Sequence, residues 1–178
     1  MKPATRTIYL DACVIIDLRE KANNAGNLAR VPGLLRELLG WSARRWCRVV
    51  TSELSLAECL VQPLRIVESG RSQAEQARRR VIWYRQSIAP LGVIESLAIN
   101  RATLETAAQL RASHRALKLP DAIHISSAIT AGADSFITRD DGIARIVPKD
   151  ATSLAARLTY LPANDAWLTH LLAELKPS

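Results

Sequence analysis

The chain predicts an α/β fold, a mostly parallel sheet covered on both faces by helices. Short runs rich in apolar and β-branched residues alternate with stretches whose apolar positions recur at helical spacing. Parallel strands need crossover connections, and a strand–helix alternation supplies them. Carboxylates stand where several of these apolar runs give way to helix-like sequence, and in such folds the carboxyl ends of the strands gather along the ligand-binding edge.

Thr7 to Leu10 reads as the first strand, followed by a short helix through Leu18, and Asn23 to Asn27 is a polar break. From Leu28 to Trp46, Val31, Leu34, Leu35, Leu38, Leu39 and Trp46 recur as one helical face. Arg48 to Thr51 is a short strand, and Ser52 to Val61 a helix that Pro63 should stop. Ser69 to Ile88 reads as a long basic helix with a buried stripe of Ala74, Ala77, Val81, Tyr84 and Ile88. Leu91 to Ile94, bounded by Pro90, is the next strand. Helices follow over Leu97 to Leu117 and Pro120 to Ala131, the second opened by Pro120 and closed by Gly132. Ser135 to Thr138 makes a fourth strand and Arg145 to Val147 a candidate fifth. Pro162 precedes an amphipathic helix from about Ala163 to Leu175.

At 178 residues and 48% hydrophobic, one domain with a full core is expected and disorder is not. Residues 1–150 would form that domain, and 151–178 a helical extension packed on it. Cys13, Cys47 and Cys59 match no zinc spacing and sit among apolar neighbours, which suits free thiols in a reducing compartment. The apolar stretch after Lys2 and Arg6 is interrupted by Asp11 and lacks a signal-peptide cleavage site. No apolar run approaches the roughly 20 residues of a membrane span. A soluble, cytoplasmic protein with no membrane partner is expected.

The net charge of +7 is concentrated in the middle of the chain. Between Cys59 and Pro120 ten basic residues stand against four acids. Arginine dominates there, with Arg78, Arg79 and Arg85 among the candidates for phosphate contacts and Arg139 beyond them. A solvated helix face with pairs such as Glu75–Arg79 explains single arginines equally well. As a group they favour a polyanionic partner, nucleic acid before membrane.

Asp11, Glu58, Asp121 and Asp140 are the candidate site. Each has an ordinary alternative: Asp11 as a helix N-cap, Glu58 in a Ser55–Glu58 capping box, Asp121 in a helix first turn, and Asp140 in a turn with Asp141 and Gly142. A helix beginning near Ser52, however, would carry Glu58 well inside it. Carboxylates gathered at close range repel unless a cation joins them, and oxygen-only ligation suits Mg²⁺ or Mn²⁺.

Four segments resemble the PIN-domain family, most closely the VapC-type toxins of toxin–antitoxin pairs. They are Tyr9-Leu10-Asp11-Ala12-Cys13-Val14-Ile15-Ile16-Asp17, Ser55-Leu56-Ala57-Glu58, the stretch from Leu119-Pro120-Asp121 to Ala128, and Phe136-Ile137-Thr138-Arg139-Asp140, between about Ile8 and Val147. The resemblance implies a three-layer α/β/α sandwich and a Mg²⁺- or Mn²⁺-dependent ribonuclease leaving 5′-phosphate and 3′-hydroxyl ends. It implies Asp11, Glu58, Asp121 and Asp140 as the acidic quartet around one or two ions, with Thr138 as the accompanying hydroxyl. It also implies a small antitoxin over the acidic cleft, with self-association as a further expectation.

The chain departs from the family pattern in three places. Ala12 and Cys13 stand where the family often has polar residues, Asp141 beside Asp140 could take the fourth acid's role, and residues 151–178 lie beyond a minimal PIN domain. The altered Ala12–Cys13 pair supports an alternative, a PIN-like module that binds nucleic acid or protein without turnover. His124, one turn after Asp121, reads as a satisfied histidine rather than a general base, because metal-activated water needs no imidazole. Asp17 reads equally as solvent-facing, His114 and His170 as surface residues, and the four tryptophans as packing residues. There is no glycine-rich phosphate loop.

Overall fold

In a computed structural model, residues 5–21, 30–70, 72–140, 142–143 and 158–176 are described. Strand β1 (Thr7–Leu10) is buried along its whole length, and its side chains divide by the two-residue period of a strand. Ile8 and Leu10 face one apolar cluster, Tyr9 the other. Helices α1 (Ala12–Glu20), α2 (Arg30–Ala43), α3 (Glu53–Glu68), α4 (Ala74–Ser87) and α7 (Asp165–Leu175) contribute to the first cluster. Helices α5 (Arg101–Ser113) and α6 (Leu119–Thr130) cover the second. Between them lie β1, β2 (Arg48–Ser52), β3 (Ile88–Ala89), β4 (Ile94–Leu97), β5 (Ser135–Thr138) and β6 (Thr159–Pro162), in the order β3-β4-β2-β1-β5-β6 with every pairing parallel. This is the expected three-layer α/β/α sandwich.

Several elements differ from the sequence reading. Helix α3 runs straight through Pro63, which is buried. An interior proline forfeits a hydrogen bond and costs roughly 3 kcal/mol. Continuing the helix keeps Leu64, Ile66 and Val67 partly buried where α3 packs along α4, and tertiary burial outweighs the local penalty. The strand expected at Leu91–Ile94 lies three residues later. Pro90, Leu91 and Gly92 instead form a turn closed by Gly92 N–H on Ala89 O at 2.9 Å, with proline and glycine where a type I turn favours them. A Cβ on Gly92 would come within 2.6 Å of Ser87 O, so the turn needs that glycine. Helix α5 starts only at Arg101 because Asn100 caps it, accepting from Thr103 N–H at 3.0 Å.

Helix α6 closes as expected at Gly132, which adopts φ +64°. Gly132 N–H donates to Ile129 O and Ala133 N–H to Ala128 O, a Schellman motif. Strand β6 was not foreseen; Pro162 ends an edge strand, where a missing N–H is tolerated. After it, Asn164 caps α7, whose Leu168, Leu171 and Leu172 join the first apolar cluster. The possible strand at Arg145–Val147 lies outside the described residues. Among the described residues, no helix is long and apolar enough to cross a membrane.

Candidate active site

The four acids reach one cleft from four different elements. Asp11 ends β1 and precedes α1, Glu58 lies in the second turn of α3, Asp121 in the first turn of α6, and Asp140 follows β5. All four line a cleft of about 610 Å³, together with Cys13, His124 and Arg139. Parallel order places β1 and β5 side by side, so their carboxyl ends open onto the same space.

Asp11 is the most enclosed, only 7% exposed. Its backbone carbonyl starts α1, but its side chain makes no capping hydrogen bond. Instead Oδ2 accepts from the Thr138 hydroxyl at 2.7 Å and from the Cys13 thiol at 3.2 Å. The ordinary N-cap explanation therefore fails for its carboxylate. Cys13 also accepts from Arg139 N–H at 3.4 Å, so the thiol provides polar contact where the family pattern has other polar residues. Burial, then the charge of Asp11, pushes that thiol up to about 11.

Glu58 is five residues past the start of α3, which excludes the capping box. Its Oε2 accepts from His124 Nε2 at 2.9 Å, and that nitrogen is also 3.8 Å from Asp11 Oδ1. His124 is 2% exposed, with Nδ1 2.9 Å from Tyr9 Oη and 3.4 and 3.5 Å from the Ser52 and Ser55 hydroxyls. It is thus a satisfied histidine, as expected, but satisfied by a site acid.

Asp121 carries the clearest electrostatic signature. Partial burial raises its carboxyl above the ordinary value, the charge of Asp140 adds to this, and Asp11 adds less than the nearby Lys118 offsets. Asp140 Oδ1 accepts from Gly142 N–H at 2.7 Å, while its own N–H donates to Thr138 Oγ1 at 2.9 Å. Thr138 consequently ties the first acid to the last. Asp141 lies outside the described residues.

The basic candidates divide. Arg139 lines the cleft and pairs with Asp17, which is buried and also holds Lys21 at 3.0 Å, so Asp17 does not face solvent. Arg78 and Arg79 are exposed on α4 beside Glu75, and neither they nor Arg85 line the cleft. Sequence reasoning missed the Asp17–Arg139 pair and the Tyr9 contact to His124. Both were partly readable: Asp17 lies one helical turn from Cys13, and strand alternation places Tyr9 on the face that α6 covers.

Among the described residues, no three Asp, Glu, His or Cys groups form a ready coordination shell. The donors instead line an open cleft, and their chemistry fits a hard divalent cation: carboxylates facing common space, one of them, Asp121, raised by partial burial and then by the charge of Asp140.

The sequence pattern described as PIN domain matches residues 8–148. The chain belongs to the PIN-domain family. Similar solved folds are FitAB bound to an IR36 DNA fragment (21% identity, TM-score 0.59, 88% of this chain and 94% of that one) and FitAcB from Neisseria gonorrhoeae (20%, 0.59, 88% and 97%). A toxin–antitoxin complex from Klebsiella pneumoniae is a further one (19%, 0.50, 85% and 95%). No curated protein sequence matches the chain. At these identities the likeness to the solved structures is one of fold. Among the described residues of this PIN domain, Asp11, Glu58, Asp121 and Asp140 are the carboxylates that line the cleft.

Proposed function

We propose that this PIN domain is a Mg²⁺- or Mn²⁺-dependent endoribonuclease, the VapC-type toxin of a toxin–antitoxin pair. The observation that carries the reading is the convergence of Asp11, Glu58, Asp121 and Asp140 on one cleft, with the Asp121 carboxyl raised partly by Asp140 and Asp11. Asp11 and Asp121 would hold the ion directly, Glu58 and Asp140 partly through water. The chemistry such an ion supplies is neutralisation of a phosphodiester oxygen and acidification of the attacking water. Thr138 and Cys13 fix Asp11, His124 fixes one oxygen of Glu58, and Gly142 N–H fixes one of Asp140. Arg139, which lines the cleft and pairs with Asp17, would meet a phosphate of the RNA backbone. The exposed arginines of α4 would meet RNA farther from the cleft, where looped or single-stranded segments expose their bases. The fold likeness to a toxin–antitoxin complex supports an antitoxin partner, which would cover the cleft.

The test is cleavage of structured RNA by the purified chain with Mg²⁺ or Mn²⁺, abolished by chelator and by Asp11→Asn or Asp121→Asn in folded protein. Expression of the chain alone should also slow growth, and co-expression with a neighbouring antitoxin gene should restore it. Full cleavage by either variant, with contaminating nuclease excluded, would overturn the reading.

A further inference from the structure

We propose that His124 is a positioning residue, a buried imidazole locked with its proton on Nε2 so that it aims the Glu58 carboxylate into the cleft. The proposal deepens the nuclease reading and rests on it. Nε2 lies 2.9 Å from Glu58 Oε2, and an ionised carboxylate only accepts, so that nitrogen carries the hydrogen. Nδ1 is then the accepting nitrogen, and every group within reach of it is a hydroxyl: Tyr9 at 2.9 Å, Ser52 at 3.4 Å and Ser55 at 3.5 Å. Tyr9 at 2.9 Å has the favourable distance to donate, whereas the Ser55 proton is taken by Thr51 Oγ1, whose own proton goes to the Leu10 carbonyl. One protonation pattern therefore satisfies both edges of the ring.

The surroundings make that pattern rigid. The Tyr9 ring meets the imidazole edge-on at 6.1 Å and stacks on Phe136 at 5.1 Å with the rings 7° apart. Thr51 Oγ1 contacts the Ser55 hydroxyl at 2.6 Å and the carbonyl of Leu10 at 2.7 Å, which ties the hydroxyl cluster to the strand end that carries Asp11. Glu58, by contrast, lies on α3 with its side chain 36% exposed. The hydrogen bond from His124 is what restricts it. A second partner of this kind orients a carboxylate and is worth about 10–100-fold in metal affinity where it has been removed from other sites.

The experiment has two arms. In the wild-type chain, ¹⁵N spectra of His124 should report the proton on Nε2 and a bare Nδ1; a proton on Nδ1 alone would overturn the proposal, and this arm needs no variant to fold. The second arm measures Mn²⁺ binding by calorimetry for wild type, His124→Gln and His124→Asn. The Gln amide reaches the Nε2 position and can still donate to Glu58, whereas the Asn amide stops near Nδ1 and can only meet Tyr9. His124→Asn should bind Mn²⁺ about tenfold more weakly, and His124→Gln should recover most of the affinity. Adding Glu58→Gln to His124→Asn should cause no loss beyond that of Glu58→Gln alone. Wild-type affinity in His124→Asn would overturn the positioning role and leave the nuclease reading standing. Absence of Mn²⁺ binding in wild type would instead overturn the nuclease reading and this proposal with it.

Discussion

The Thr138 hydroxyl donates to Asp11 Oδ2 at 2.7 Å across 127 residues of chain, in a position only 2% exposed. The same oxygen accepts from the N–H of Asp140, so one side chain at the end of β5 fixes two of the four acids. Thr138→Val keeps the shape and removes both bonds. It leaves the Asp140 N–H without its partner and Asp11 with the thiol alone. A loss of about 1–2 kcal/mol in urea unfolding is expected from such unpaired groups, with weaker Mn²⁺ binding, and Thr138→Ser should restore both. Unchanged stability and unchanged Mn²⁺ affinity in Thr138→Val would mean the hydroxyl does not organise the site.

Cys13 offers a chemical probe of the same corner. Its thiol donates to Asp11, and burial followed by the Asp11 charge pushes it up to about 11. The thiolate is the reactive form, so at pH 8 only about a thousandth of the thiol would be available for attack. Burial also pushes Cys47 up to about 11 and Cys59 up to about 12. All three thiols should therefore resist iodoacetamide in the native chain and react once it is denatured, as read by mass spectrometry. Rapid native alkylation of Cys13 would show that Asp11 and burial do not suppress it, and that the thiol does not act as the donor to Asp11.

The acids were legible in the sequence because each follows an apolar run or lies where a helix would carry it inward, and topology brings such places together. What each acid does within the cleft was not legible. The hydrogen bond of Glu58 depends on which turn of α3 faces α6, and that of His124 on Tyr9 occupying the α6 face of β1, facts of packing rather than of local pattern. The same limit explains Pro63 and β6. A proline inside a helix and a proline ending an edge strand both violate local preference, and tertiary burial and sheet position decide them. Leu91 misled for the opposite reason: it reads as strand by composition, yet it sits fully exposed in a turn imposed by Pro90 and Gly92.

Asp121 joins the electrostatics of the cleft to the stability of the fold. Its carboxyl is raised above the reference value of 3.8 by partial burial, then by Asp140 and Asp11, with Lys118 opposing. For a group whose folded value lies above its unfolded value, the favourable contribution is complete below about pH 3.8 and is lost as pH rises through the raised value. At neutral pH and without metal, the ionised Asp121 therefore costs stability. Asp121→Asn should remove that cost, by up to about 1 kcal/mol after allowance for its partial exposure and for screening by solvent. The lost attraction to the α6 N-terminus works against this gain, at about 0.3–1 kcal/mol. The expected result in chelator at pH 7 is a melting temperature up to about 1–3 °C above wild type once the two effects are netted, with the difference vanishing as the pH approaches 4. Mg²⁺ should raise the wild-type melting temperature by binding the folded state preferentially, and should raise that of the variant less. Four melts decide it, each protein with and without Mg²⁺. If Asp121→Asn melts below wild type in chelator and Mg²⁺ moves neither protein, the helix dipole outweighs the neighbouring acids. Asp121 would then be a first-turn residue of α6 and nothing more, and the proposed cation site would lose the charge accumulation on which it rests.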